Sequence, residues 1–404
     1  MSQVIAHRLS VVKPSPSMAA KARVDALQAE GRTIIDFTIG EPDFDTPAHI
    51  VQAGVAALGK GETRYTAASG TLALRKAIAA KLLRENGLTY APTDIVVGSG
   101  AKQIIYSAFT ATLNEGDEVI IPAPYWVSYP DMVALHGGRP VVVPSSAAEG
   151  FKLQPQALAK AITPRTRWLI LNTPNNPSGA VYSRDELAAL VEVLKAHPHV
   201  WLMTDEIYEH FVYGGVRHTA PVSIDPQLQE RTLLVNGLSK AYAFTGWRVG
   251  YGAAPTALAK ALTLLMSQST TCPSAISQSA AVTALNGPQD CVQDAARLFE
   301  ARRNRMVELL SAIPGIECLA PDGAFYVFPS VAGLIGLSTP SGKVLANDID
   351  VMNFMLEDAG VACIDGTSYG MPSHLRMSFA TSMERIEAGC AALSAAIARC
   401  RPAP

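Results

Sequence analysis

Charged side chains are scarce in this chain of 404 residues. Asp, Glu, Lys and Arg together make up 17%, where about 25% is usual for soluble domains. Disorder needs high charge with low hydrophobicity, and the 49% apolar content excludes it. Neither sign dominates: 33 Lys plus Arg against 35 Asp plus Glu leaves a net charge of −2. That balance gives no electrostatic footprint for nucleic acid or an anionic membrane, although it allows a local basic pocket. No run of about 18 apolar residues exists, so no membrane span is expected. The six cysteines form no CxxC pair, so neither a zinc site nor a disulfide framework is indicated. Scattered thiols fit a reducing cytosol. The opening Met-Ser-Gln-Val-Ile-Ala-His-Arg lacks an apolar stretch, and no secretory leader is expected.

The periodicity is that of alternating strands and helices, without repeats. Ile95–Val97, Val119–Ile121, Val141–Val143, Trp168–Leu171, Val200–Met203, Thr232–Val235 and Val249–Gly252 read as strands. Several are apolar throughout, as in a sheet covered on both faces. Leu74, Ile78 and Leu82 recur every four residues in a helix expected over 70–86, with Gly87 at its end. Ser183 to Glu186 form a capping box that opens another helix. This is an α/β domain with a mostly parallel sheet. After about residue 267 the texture becomes α+β: two long helices over 274–312, strands near 325–328, 361–364 and 374–379, and a last helix to about 399. A second, smaller domain is expected there. Length alone allows two or three domains at about 100–200 residues each. Whether the first 47 residues join the C-terminal unit is left open by periodicity.

Four clusters carry candidate chemistry, and each has a plainer reading beside it. Asn172 to Gly179 follows a strand, where ligands of open α/β sheets bind, or is a Pro/Asn/Gly turn. Asp205, with Tyr208 three residues on, ends the next strand as a ligand group or a helix cap. Lys240 lies just past a strand end in apolar company. Burial would depress its pKa and make it a nucleophilic amine that forms an imine with an aldehyde; exposed, it is an ordinary surface lysine. Arg248, eight residues on, can fork a phosphate or carboxylate. Gly98-Ser99-Gly100-Ala101-Lys102 joins a strand to a helix, whose N-terminal amides bind phosphate. Gln103 stands where GxGxxG needs its third glycine, and no Walker A string is present, so NAD and ATP are poorly supported. Together the clusters place an imine-forming lysine, a carboxylate, a phenol, an amide and a phosphate cradle at strand ends, which is what pyridoxal 5′-phosphate requires.

At this point the sequence resembles the class I aminotransferases of the pyridoxal-phosphate fold type I group. Within that group it is similar to the bacterial aspartate aminotransferase branch, some of whose members also use prephenate. The resemblance runs from about Leu9 to about Ala396. It rests on Lys13-Pro-Ser-Pro, Gly40-Glu-Pro-Asp-Phe-Asp-Thr-Pro47, Pro124-Tyr-Trp-Val-Ser-Tyr-Pro130, Asn172 to Gly179, Asp205-Glu-Ile-Tyr208, Ser239-Lys240 with Thr245-Gly-Trp-Arg248, Ser267 to Thr271, and Leu375-Arg-Met-Ser-Phe379.

The resemblance implies a mostly parallel central sheet with helices on both faces plus a smaller α+β domain, divided as 46–285 and, from both chain ends, 1–45 with 286–404. It implies that Lys240 holds the cofactor and moves the substrate's proton, that Asp205 pairs with the ring nitrogen, and that Tyr208 and Asn176 serve the phenolate oxygen. Trp126 is implied to stack on the ring; its plainer reading is a core aromatic, and the surrounding Tyr-Trp-Val-Ser-Tyr string favours stacking. Ser99, Gly100, Ala101 and Lys102, with Arg248, are implied to hold the phosphate, joined by Tyr65 from a partner subunit. Arg376, Gly40 and Asn176 are implied to hold the substrate α-carboxylate. No metal is implied, and the partners are amino acids, 2-oxo acids and a second copy of the chain in a cytoplasmic homodimer.

The sequence departs from the animal enzymes of this family in two places. Gly237 stands where they have serine, and residues 266–281 lack the arginine that binds a distal carboxylate. In the bacterial branch Lys102 takes that task, with help from Ser17 and Ser269–Thr271, and Lys13 matches a lysine associated with prephenate. The reading is an aspartate:2-oxoglutarate aminotransferase working by ping-pong exchange. The alternatives are the same chemistry on prephenate, aromatic or neutral amino acids, and, remotely, a nicotinamide oxidoreductase.

Overall fold

The computed structural model describes residues 4–14 and 16–403, and the side chain of Ser17 lies outside the described residues, as does the role expected of it. All seven apolar runs between residues 95 and 252 become strands of one seven-stranded sheet. Its order is Ile95–Gly98, Gly250–Ala253, Thr232–Gly237, Trp201–Asp205, Thr166–Asn172, Glu118–Pro122, Arg139–Val143. Neighbours are parallel except for Gly250–Ala253, which runs antiparallel to both strands beside it. Side chains alternate across the pleat. Ile95 and Val97 pack with helices Leu72–Asn86 and Ala275–Asn286 on one face. Val96 packs with Ala101–Thr112 and Thr256–Gln268 on the other.

Local signals set the helix ends. Helix Leu72–Asn86 starts two residues later than the periodicity suggests, because Thr71 stays extended and its hydroxyl accepts from the Leu74 amide at 3.3 Å. Gly87 closes the helix at φ +67°, the left-handed conformation glycine tolerates. Both capping-box bonds between Ser183 and Glu186 form.

The C-terminal region builds a three-stranded antiparallel sheet from Ile364–Asp365, Leu375–Ser378 and Tyr326–Val327. Helices Asp290–Ser311 and Met383–Ile397 share its core. Residues 24–36 pack with this unit: Ile35–Asp36 pairs in parallel with Val361–Ala362, and Val24 and Leu27 pack against Leu356 and Ala362. Arg302 forks Asp43 at 2.7 and 2.8 Å, tying a C-terminal helix to the segment that leads into the large sheet. Among the described residues no helix is long and apolar enough to cross a membrane.

Candidate active site

Five of the parallel strands deliver their carboxyl ends to one edge of the sheet, followed in turn by Ser99, Trp126, Asn172, Asp205 and Lys240. The reversed strand Gly250–Ala253 begins at that same edge, which is why Arg248, preceding it, arrives there too. Gly250 pairs with Gly98, and a Cβ on Gly250 would lie 2.1 Å from the Ala101 nitrogen. Only glycine lets the helix N-terminus sit this close to the strand. Gly237 faces Gly250 in the same tight spot: a Cβ there would come within 3.0 Å of the Gly250 Cα, a physical reason for glycine in place of serine.

Arg248 adopts φ +60°, a conformation that costs a non-glycine residue about 1–3 kcal/mol. It turns its guanidinium onto the strand-to-helix junction, donating to Ser99 O at 3.1 Å and Thr245 O at 3.0 Å. Gly100 (φ +90°) lies beneath, where a Cβ would stand 2.4 Å from Arg248 Nη2. The expected cradle needs one correction. The Ser99 amide is spent on the Gln103 side chain and the Gly100 amide on Gly98 O. Ala101 and Lys102, the first two residues of the helix, keep amides without an intrahelical partner.

Lys240 donates to Gly40 O at 2.6 Å, and among the described residues no carboxylate lies within ion-pair distance. Burial pushes its ammonium down to about 8; Glu41 opposes this, while Arg376 and Arg248 assist. Its Nζ stands 5.9 Å from the Tyr208 ring centre. Asp205 is buried, and burial pushes its carboxyl up to about 6 against the hydrogen bonds it accepts. The first of these comes from the Tyr129 hydroxyl at 2.7 Å, a residue not singled out from sequence. Tyr208 Oη meets Tyr326 Oη at 2.9 Å, a second partner that sequence reasoning missed. Asn172 Nδ2 donates to Asp205 O at 2.9 Å, and its Oδ1 accepts from the Asn176 amide at 2.8 Å, so one side chain fixes two adjacent strand ends.

Arg376 comes from the C-terminal sheet, opposite Ile364. It is buried, and its guanidinium sits 4.5 Å from the Tyr326 ring centre. Nη1 donates to Asn176 Oδ1 at 3.3 Å and Nη2 to Thr38 O at 2.6 Å, while the buried Nε has no protein partner. An orphaned donor on an arginine is a ready position for a carboxylate.

Lys102 stands 4.6 Å from the Trp126 ring centre, and its Nζ donates to Ser128 Oγ at 3.3 Å. Burial, then the nearby Arg248 charge, lowers its pKa. A cavity of about 510 Å³ opens here, lined by Lys13, Lys102, Gln103, Arg248 and Thr270 among others. Gln103 bridges from the Ser99 amide to Thr270 Oγ1, the latter at 2.7 Å. Tyr65 stands apart from the cluster with its side chain 87% exposed, and Ser269–Thr271 are exposed as well.

The site thus joins an amine poised near neutrality, an acid held by a phenol, an anion-binding helix start and an arginine with a free donor. These groups suit a cofactor with an aldehyde, a ring nitrogen and a phosphate. Comparison with known proteins agrees. The family model for class I and II aminotransferases matches residues 32–393, and the chain belongs to that family. It is 51% identical, over 96% of both chains, to a probable aspartate/prephenate aminotransferase of Rhizobium leguminosarum bv. phaseoli. The crystal structure of the aspartate aminotransferase from Rhizobium meliloti superposes with a TM-score of 0.97 at 48% identity, covering 99% of this chain and 100% of that one. The aspartate aminotransferase of Thermus thermophilus with maleate follows at 0.91 and 39%, covering 98% and 100%. Membership of this family sets the oxidoreductase alternative aside. The protein is an aminotransferase of fold type I architecture.

Proposed function

We propose that the protein is a pyridoxal 5′-phosphate-dependent aspartate:2-oxoglutarate aminotransferase, acting in the cytoplasm as a homodimer. The observation that carries the proposal is Lys240: a half-buried amine facing a carbonyl, with no carboxylate in contact among the described residues, between Asp205, Tyr208 and Arg376. The cofactor, when bound, supplies an aldehyde carbon and an electron-withdrawing ring. Every other task falls to the chain.

Lys240, near pH 8 about half neutral, accepts and returns the proton at the substrate Cα. Asp205 holds a protonated ring nitrogen, and Tyr129 keeps the carboxylate in place. Tyr208 and Asn176 donate to the phenolate oxygen, and Trp126 covers the ring. Arg248 and the amides of Ala101 and Lys102 hold the phosphate. Arg376 takes the α-carboxylate of the substrate with its free Nε. Lys102 meets the distal carboxylate across the cavity it lines. The maleate held by the Thermus thermophilus aspartate aminotransferase, a dicarboxylate, is consistent with such a substrate. The exposure of Tyr65 and of Ser269–Thr271 supports a partner subunit that they complete. The larger unit is taken as 46–285 and the smaller as 1–45 with 286–404.

Prephenate is the second reading, favoured by Lys13 lining the same cavity as Lys102. Rates for aspartate, glutamate, prephenate, phenylalanine and alanine on cofactor-loaded protein decide between them. Lys102→Ala is expected to lower kcat/KM about 10- to 100-fold for aspartate and glutamate, the worth of one charged hydrogen bond. Phenylalanine and alanine are expected to change far less. Equal losses across all substrates would remove Lys102 from substrate recognition.

A further inference from the structure

Asp205 and Tyr208 share one turn with Glu206 and Glu209, and the two pairs face opposite ways. The front pair meets Lys240. The rear pair is buried and enters a polar cluster on the far side of the turn. Glu206 Oε1 accepts from Thr204 Oγ1 at 3.0 Å, and Oε2 meets His218 Nε2 at 2.7 Å. Glu209 accepts from Lys81, from Asn236 and, at 2.7 Å, from Asn86. Side-chain donor atoms of Glu206, Glu209 and His218 lie within 4.8 Å of one another.

Such spacing would suit a metal ion, but the oxygens of Glu209 are already taken by an ammonium and two amides. The cations that keep these two carboxylates together are side chains, Lys81 and His218. The His218 imidazole is almost enclosed, with 7% of its side chain exposed. Burial works against its charge, yet Glu206 and then Glu209 outweigh burial and raise its pKa above 6.5; Lys81 acts in the opposite sense. His210 closes the cluster at its margin, 3.0 Å from Glu85.

We propose that His218 is a positioning residue for the reaction: standing against Glu206, it screens that carboxylate from Asp205 and so lets Asp205 ionise where the ring nitrogen needs it. This rests on the cofactor reading given above. The groups whose charge or hydrogen bonds act on Asp205 are Tyr129, the Ile207 amide, Glu206, Lys240 and Tyr208. Burial raises Asp205 first, Tyr129 and the amide lower it, Glu206 raises it and Lys240 lowers it. Glu206 is therefore a neighbouring carboxylate acting against ionisation, and His218 is the cation set directly upon it.

The test is an equilibrium titration of full-length, cofactor-stripped protein with pyridoxal 5′-phosphate and with its deaza analogue, whose ring has CH in place of nitrogen. The ratio of the two dissociation constants is followed against pH. It cancels the titrations of the phosphate and of Lys240 and reports the charge on Asp205 together with that of the ring nitrogen, the latter common to parent and variants. His218→Gln is expected to move the midpoint of the ratio up by about one pH unit, a loss of about tenfold in relative affinity below it. Glu206→Gln is expected to move it down. A merely structural role would weaken both probes alike and leave the midpoint in place. Unchanged midpoints, or two shifts of the same sign, would overturn the proposal. Glu206→Gln keeps the side chain's hydrogen-bonding shape, so it carries a signed answer even if His218→Gln does not fold. A wild-type protein that binds neither probe would instead overturn the cofactor assignment, and this inference with it.

Discussion

Lys81 is buried and Lys240 half-buried, on opposite sides of the turn that carries Asp205, and what most divides their surroundings is carboxylate contact. Lys81, 1% exposed, reaches two carboxylates, Glu209 in direct contact and Glu85 at 3.5 Å, and adds the Asn86 side chain at 2.8 Å. Among the described residues Lys240 has only the Gly40 carbonyl in direct hydrogen-bond contact. Burial alone does not make an amine reactive, since a carboxylate in contact restores the charge that burial disfavours. What sets Lys240 apart is burial with the acids held back. The rear of the turn has the character of a structural ion cluster, and the front that of a site left incomplete by the protein alone.

Four substitutions break or sharpen that contrast. The largest effect belongs to Lys240→Ala, expected to lower turnover on the order of 10⁴-fold or more while the unfolding midpoint stays close to the parent's. Near-wild-type turnover without added amines would end the assignment. Lys81→Met is expected to do the reverse. It leaves Glu209 buried without its ammonium and costs about 3–5 kcal/mol in denaturant unfolding. Adding Glu209→Gln to Lys81→Met is expected to recover most of that loss, because the second buried charge is then gone. A single variant as stable as the parent would mean that the rear cluster is not an ion pair in solution.

Tyr129→Phe has the smallest effect and a sign that depends on pH. The Asp205 carboxyl is raised from 3.8 to about 6 in the fold, so its contribution to stability is fully present below 3.8 and is lost as pH rises through about 6. Removing the phenol takes a donor from the ionised form. The variant is expected to lose about 1.5–3 kcal/mol above pH 6 and much less at pH 4, read from denaturant unfolding at the two pH values. A loss independent of pH would point to packing and not to the hydrogen bond.

The sequence-to-structure match follows the range of each signal. The strands were legible because runs such as Thr232–Val235 are apolar on both faces, which is a local property. Helix ends were legible at Gly87 and Ser183, where single residues close or open the hydrogen-bond ladder. Lys240, Asp205, Asn176, Tyr208 and Arg376 were visible because each lies in a motif, and the fold brings them together. Tyr129 sat in one of those motifs without being singled out: its partner is 76 residues away, and only the order of the strands sets the two side by side. Lys81 gave no signal at all. On a helix read by its leucines, a lysine looks like solvent-facing charge until strand Thr232–Gly237 and the turn after Asp205 supply Asn236 and Glu209.

The strand reversal at Gly250–Ala253 has a mechanical consequence. The chain leaves the sheet after Gly237 and returns at Gly250, its direct partner on the neighbouring strand. Lys240 and Arg248 both hang from this single excursion. In the proposed reading they are the two jaws of a caliper, one closing on the reactive end of the cofactor and the other on its charged end. The gap between the jaws is set by the number of residues in the excursion more than by their identity. One residue added or removed between positions 240 and 248 resets the gap although every functional side chain survives. The exposed hairpin around 340–344 carries no such gauge.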